Sequence, residues 1–280
     1  MANRTQDLIF TLFGEYIRQR GGEAPTASLI HLMDCLGTSE QATRSALSRL
    51  ARKGWLAARK EGRRSFYYLT RKADTLLEEG SQRIYHPRHD PWDGRWHIVT
   101  YSIPEELSNK RDRLRTRLKW LGFGQLSPGT WISARDERAA VEETLKHLRL
   151  RDYVEWFSGE HRGFSQNRHM VQRSWDLERL NDTYAAFNAR FEPRLTDFQA
   201  RLRQAHNHQP EPADYFTERF WLVHEFRSFP YVDPNLPAEL LPENWLGYRA
   251  EEVFTTFRNI LTEKAERFVD ETLQMTEAEA

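Results

Sequence analysis

Between Thr38 and Thr70 the chain reads TSEQATRSALSRLARKGWLAARKEGRRSFYYLT, a stretch of guanidinium, ammonium and small hydroxyl groups with little carboxylate among them. Such groups donate hydrogen bonds to phosphate oxygens and base edges. From Leu36 to Lys72 ten Lys/Arg stand against two Glu, in a chain whose 41 Lys+Arg balance 41 Asp+Glu. From Ala205 onward the sign reverses, with six cations facing fifteen Asp/Glu. A polyanion suits the first region and not the second.

Projected at about 100° per residue, Gln41, Arg44, Ser45, Ser48 and Arg52 share a stripe of roughly a quarter turn, and Arg49 borders it. Ala42, Thr43, Ala46, Leu47 and Leu50 take the opposite side. A helix that merely meets solvent mixes its charges, whereas here no acid follows Glu40 on the wet face. Arginines with small hydroxyls suit a major groove about 12 Å wide, because bulky apolar groups would clash there and carboxylates would repel phosphate. WLAARK and RSFYYLT read as strands of a hairpin turning through Glu61-Gly62, with Arg59, Lys60, Arg63 and Arg64 at its tip, placed to reach the adjacent DNA backbone or minor groove. Phe66, Tyr67 and Tyr68 can stack on bases, but on a hairpin packed against helices they are read as structural.

The elements that must hold these groups follow from period and punctuation. DLIFTLFGEYIRQRGG puts Ile9, Phe13, Tyr16 and Ile17 on one helical face and stops at a glycine pair. PTASLIHLMDCLG is a second short helix, with the lone Cys35 as a small hydrophobe, and a third starts at Thr38 or Ser39 with a Thr38/Gln41 capping box and ends at Gly54. Residues 71–84 close the region as a further helix, giving the order of a winged helix-turn-helix over 1–85. YHPRHDPWDGRW is a connection. Over 86–173, RWHIVTYSIP, GTWISA and DYVEWFSGE read as strands, with helices between them, one carrying a stripe of Leu107, Leu114, Leu118 and Leu121. That alternation predicts a ferredoxin-like α+β domain. Residues 174–280 read as all-α, broken by FPYVDPNLPAELLPENWLGY, with Val253, Phe257, Ile260 and Leu261 as a core or dimer face. The expected fold class is therefore α+β.

Four blocks carry a family likeness: ATRSALSRLARKGWL with GRRSFYYLT, WDGRW, LKWLGFGQLSPGTWIS, and LPAELLPENWLGYRA. Together, in this order, they resemble the PaaX family of bacterial transcriptional repressors of phenylacetate degradation. The resemblance implies an N-terminal winged helix, promoter binding as a homodimer, and release by phenylacetyl-coenzyme A. Arg44, Ser45, Ser48 and Arg49 match its recognition-helix block, and Gly62, Arg63 and Arg64 its wing. The middle segment is also similar to the small ferredoxin-like nuclease of CRISPR adaptation, whose metal-binding Tyr-Asp-Ile is here Tyr101-Ser102-Ile103. A serine hydroxyl replaces a carboxylate poorly on a hard cation, which argues against metal-dependent cleavage.

An acyl-coenzyme A effector needs cations for its phosphates and an apolar, aromatic-lined cleft for its acyl group. Trp92, Arg95 and Trp96 offer these, as do Arg162, Arg168, His169 and Arg173 beside Phe164 and Trp175. The alternative is that the tryptophans fill interfaces and the arginines pair with the acidic tail. His86, His89 and Asp90, like His206 and His208, are read as surface groups rather than metal ligands. No phosphate loop, Gly-x-Ser-x-Gly elbow or His-Glu-x-x-His occurs. No apolar run approaches the roughly 20 residues that cross a bilayer, and MANRTQDLIF lacks signal-peptide architecture, so a cytoplasmic protein is expected. The expectation is a repressor that is not an enzyme and carries no cofactor or metal. Its partners would be operator DNA, an acyl-coenzyme A and a second copy of itself, with no membrane. The rivals are a metal-dependent nuclease and a winged helix that binds protein or RNA.

Overall fold

A computed structural model describes residues 2–203 and 210–278; His206 and His208 lie outside them. The chain opens with α1 (Ala2–Leu12), β1 (Glu23–Pro25), α2 (Thr26–Cys35), α3 (Glu40–Arg52), β2 (Leu56–Glu61), β3 (Arg64–Leu69) and α4 (Arg71–Tyr85). The first expected helix is prolonged by a π turn at Phe13–Ile17 and a 3-10 turn at Arg18–Arg20. Ile9, Phe13, Tyr16 and Ile17 are buried as expected, and the π turn brings Glu15 inward with them. The third helix is capped by Ser39, whose hydroxyl accepts from the Ala42 N–H at 3.4 Å. The expected Thr38/Gln41 box does not form, because Glu40 is the first helical residue and the box position therefore falls to Ala42.

The hairpin is antiparallel from Leu56↔Leu69 to Glu61↔Arg64, so its turn residues are Gly62 and Arg63 rather than Glu61-Gly62. Gly62 has φ 60°, the backbone that the first central position of such a turn demands. β1 pairs with β3 on the other side, giving the order β1-β3-β2.

The next elements are β4 (Trp96–Tyr101), α5 (Ser108–Trp120), β5 (Gly124–Ser127), β6 (Thr130–Ser133), α6 (Arg138–Leu148), β7 (Val154–Gly159) and α7 (Asn167–Ser174). Their sheet is wholly antiparallel in the order β5-β6-β4-β7. Period-2 alternation lets β4 bury Val99 against Leu114, Leu118, Val141 and Leu145 of α5 and α6 on one face. Its other face carries Trp96 into a cluster with Ile132, Met170, Val171, Leu236 and Leu240. After α5 the chain passes Gly122 (φ 86°), where a Cβ would lie 2.6 Å from the Pro234 carbonyl oxygen.

Three helices follow: α8 (Leu177–Arg203), α9 (Pro212–Phe226) and α10 (Gly247–Ala278). Contacts sort the chain into two units. The first joins residues up to Tyr85 with Phe187–Arg227 and the chain from Tyr248 on; the second comprises His86–Ala186 and Ser228–Gly247. In the first, Tyr16 packs on Phe216 at 5.3 Å, and Val253, Phe257 and Leu261 are buried. Ile260, expected beside them, is only half-buried. Among the described residues no helix is long and apolar enough to cross a membrane.

Candidate nucleic-acid interface

α3 divides sharply by face. Thr43, Ala46, Leu47 and Leu50 are buried, while Gln41, Arg44, Ser48 and Arg52 are exposed and Ser45 and Arg49 lie at the border. Apolar positions three and four apart fix the inward side. Lys53, next after α3, donates from Nζ to Gln6 Oε1 at 2.8 Å and so ties the end of α3 to α1.

The stripe is less free of acid than its composition suggests. Glu40 holds Arg44 at 2.7 Å, one turn away along the helix. Arg49 donates to Ser45 Oγ at 2.6 Å. Arg52 is exposed and makes no ion pair with another described residue.

At the hairpin, Arg59 lies over the Phe66 ring and is clamped by Glu23 at 2.5 Å and Glu61 at 2.7 Å. Hydrogen bonding to Glu23 first, then to Glu61, holds its guanidinium charged beyond the ordinary arginine range. The same pairing pulls the Glu61 carboxyl below its usual value. Lys60 and Arg63 are exposed without an ion pair among the described residues, and Arg64 is half-buried at the base of the turn. The free cations of the hairpin are thus at its apex, with Arg59 serving as an internal strut. Glu23 could not be found from sequence, since it lies 36 residues from Arg59 on the short strand β1. Of the three aromatics, Phe66 is buried, Tyr67 half-buried and Tyr68 exposed.

The second group of candidate residues falls into two sets. Trp92 meets Trp96 edge-on at 5.4 Å, and Trp96 stacks with Trp175 at 6.3 Å. Trp96 is 2 % exposed and donates from Nε1 to Asn167 Oδ1 at 3.0 Å, so its indole is a core group. Arg95 reaches the Ser158 carbonyl at 3.1 Å. Arg168, His169 and Arg173 lie on the exposed side of α7, whose other side buries Met170 and Val171. Arg162 is exposed and paired with Glu160 at 2.6 Å. Ser102 is exposed just past β4, its N–H bonded to the Tyr153 carbonyl. Among the described residues no three His, Cys, Asp or Glu side chains cluster to hold a metal.

The first unit also contains an ion network that the sequence does not announce. Arg219 of α9 is 2 % exposed and reaches Glu15 at 2.6 Å and Glu266 at 2.7 Å. Glu266 also takes Arg20 at 2.5 Å, and Tyr85, the last residue of α4, donates to Glu15. Burial, then the neighbouring Glu15 carboxylate, pushes the Tyr85 phenol far above its usual range.

Sequence comparison covers all three regions. The family description "PaaX-like protein" matches residues 4–73, "PaaX protein central Cas2-like domain" matches 89–171, and "PaaX-like protein C-terminal domain" matches 175–271. The transcriptional repressor PaaX of Escherichia coli K12 is 32% identical over 267 residues, spanning 94% of this chain and 82% of its own length. The chain belongs to the PaaX family. PaaX membership makes it a regulator of transcription and not an enzyme. An uncharacterised protein of Mycobacterium tuberculosis has a similar fold, with a TM-score of 0.53 at 22% identity over 89% of this chain and 91% of that one.

Proposed function

We propose that the chain represses an operon for aromatic-acid breakdown, that of phenylacetate, and leaves its operator when an aryl-acyl-coenzyme A such as phenylacetyl-coenzyme A binds. The N-terminal elements act as a winged helix-turn-helix in a cytoplasmic homodimer, with α3 in the major groove and the β2–β3 hairpin as the wing. The observation that carries this is the exposed face of α3, where Gln41, Arg44, Ser48 and Arg52 stand clear of the core that the opposite face enters. Arg63 and Lys60 at the hairpin apex supply phosphate contacts that position the helix without reading sequence. The relative in Escherichia coli, a transcriptional repressor by name, supports the same reading.

The middle sheet serves as a ferredoxin-like scaffold: β4 lies between β6 and β7, and α5 and α6 pack together on one face. Trp92, Arg95 and the cations of α7 are the groups proposed to meet the effector's ring and phosphates. Release requires the effector to prefer the form that does not bind DNA. Driving a population from 99:1 to 1:99 takes about 5.5 kcal/mol of differential affinity. A gel shift on the protein's own upstream region, with acyl-coenzyme A thioesters and the matching free acids, tests this. Specific retention that an aryl thioester abolishes and its acid does not is the expected result. Equal retention of random duplex would overturn it.

A further inference from the structure

α5 carries Lys110, Arg111, Arg113, Arg115, Arg117 and Lys119 against a single acid, Asp112. Its inward residues, Leu114 and Leu118, are fully buried, which fixes the arc that faces away. At about 100° per residue Arg113, Thr116 and Lys119 fall within roughly 120° on that arc, with Asp112 between Thr116 and Lys119 and Arg115 at the border. All but the half-buried Arg115 are exposed. Arg111 is taken by Glu105 at 2.8 Å, whereas among the described residues Arg115 pairs with Asp112, at 3.9 Å. Arg113 and Lys119 make no ion pair with another described residue.

Along α5 the spacing of charges repeats one sign. Residues 111 and 115, 115 and 119, and 113 and 117 are like-charged pairs four apart, an arrangement that destabilises a helix. Other helices carry isolated like-charged pairs of this kind, as in Asp74 with Glu78 and Asp214 with Glu218, or offset them with opposite pairs such as Glu40 with Arg44 and Glu263 with Arg267, whereas α5 stacks three, all cationic. α6, packed beside α5, interleaves Arg138, Glu142, Glu143 and Lys146 in the pattern of an ordinary wet surface. α5 accepts a local penalty that a polyanion would relieve.

We infer that the outward face of α5 is a second surface for duplex DNA, one that grips phosphates outside the site read by α3. It rests on the repressor reading above and adds a contact that the N-terminal elements do not make. The test is binding of the full chain to a short operator duplex, and to the same operator extended by about 20 base pairs of arbitrary sequence, across a salt series. Wild type and an Arg113→Gln/Arg115→Gln/Lys119→Gln variant are compared, with circular dichroism as the check on folding. Each phosphate contact contributes about 0.9 to the salt slope, so the variant should lose up to about 2.7 on the extended duplex and nothing on the short one. An unchanged slope on the extended duplex overturns the inference. So does an equal loss on both lengths, the mark of a diffuse field, or a change in self-association with DNA binding intact. If wild type fails to select the operator at either length, the repressor reading itself falls.

Discussion

Arg44 and Arg49 each hold a partner of their own in the free protein, Glu40 at 2.7 Å and Ser45 at 2.6 Å. An exposed pair of this kind is worth about 0–1 kcal/mol, so either arginine can leave it for a base edge at small cost. Arg44→Ala or Arg49→Ala should lose about 1–3 kcal/mol of operator affinity and relax sequence choice, whereas Arg63→Ala should weaken all duplexes alike and flatten the salt slope by about 1. Fluorescence anisotropy on operator and random duplex separates the two outcomes. Glu40→Gln should tighten random binding, because it frees Arg44 and removes a carboxylate from the surface proposed to face phosphate. His224 makes a prediction of a different kind. Burial first, then Arg227, Arg4 and Arg190, lower its pKa from 6.5 to about 4, and Thr11 Oγ1 lies 2.8 Å from its Nδ1. A base whose folded pKa is depressed leaves the unfolded chain binding more protons, so its contribution is whole above pH 6.5 and drains away as pH falls towards 4. Urea midpoints should drop over that window by about 1–2 kcal/mol of stability, with solvent screening of the partly exposed ring allowed for, and His224→Gln should remove the slope.

Between one element and the next, the readable features were those with a period. The helices from α1 to α6 and the strands β2, β3, β4, β6 and β7 announce themselves by apolar recurrence at 3.6 or 2 residues. β1 and β5 do not, because three residues ending in proline and the tetrapeptide Gly124–Ser127 are too short to carry an alternation. Each is made a strand by a neighbour already in place, β3 or β6. The α3 stripe was legible because one helix displays it whole, whereas the Glu15, Arg219 and Glu266 cluster draws on three distant segments and has no local signature. Its energetics make it testable. Arg219→Met would leave the buried Glu15 carboxylate without its cation, while the half-buried Glu266 keeps Arg20, at a cost of about 3–5 kcal/mol visible in chemical denaturation. Gly122→Ala should also destabilise, since a methyl would meet the Pro234 carbonyl while the backbone sits at a φ that alanine resists.

Across the whole molecule, charge arithmetic along the sequence separated a basic head from an acidic tail, yet contacts put much of that tail in the same unit as the head. Arg20 with Asp270, and Ser28 with the Thr272 carbonyl, join positions more than 240 residues apart. Sequence segmentation follows the onset of helix near Ser174, whereas the contact boundary falls inside α8 at Phe187. A fragment ending at Tyr85 should therefore show a lower and broader thermal transition than the full chain, because Tyr16 would lose Phe216 and Glu15 would lose Arg219. The split composition of this unit also bears on how such regulators can be recombined. A crossover placed at residue 86 would mate one protein's α1 with a stranger's α9 and leave Glu15 dependent on whatever that α9 sets against it. The first unit is thus inherited from both ends of the gene, and grafting it whole means transplanting both flanks.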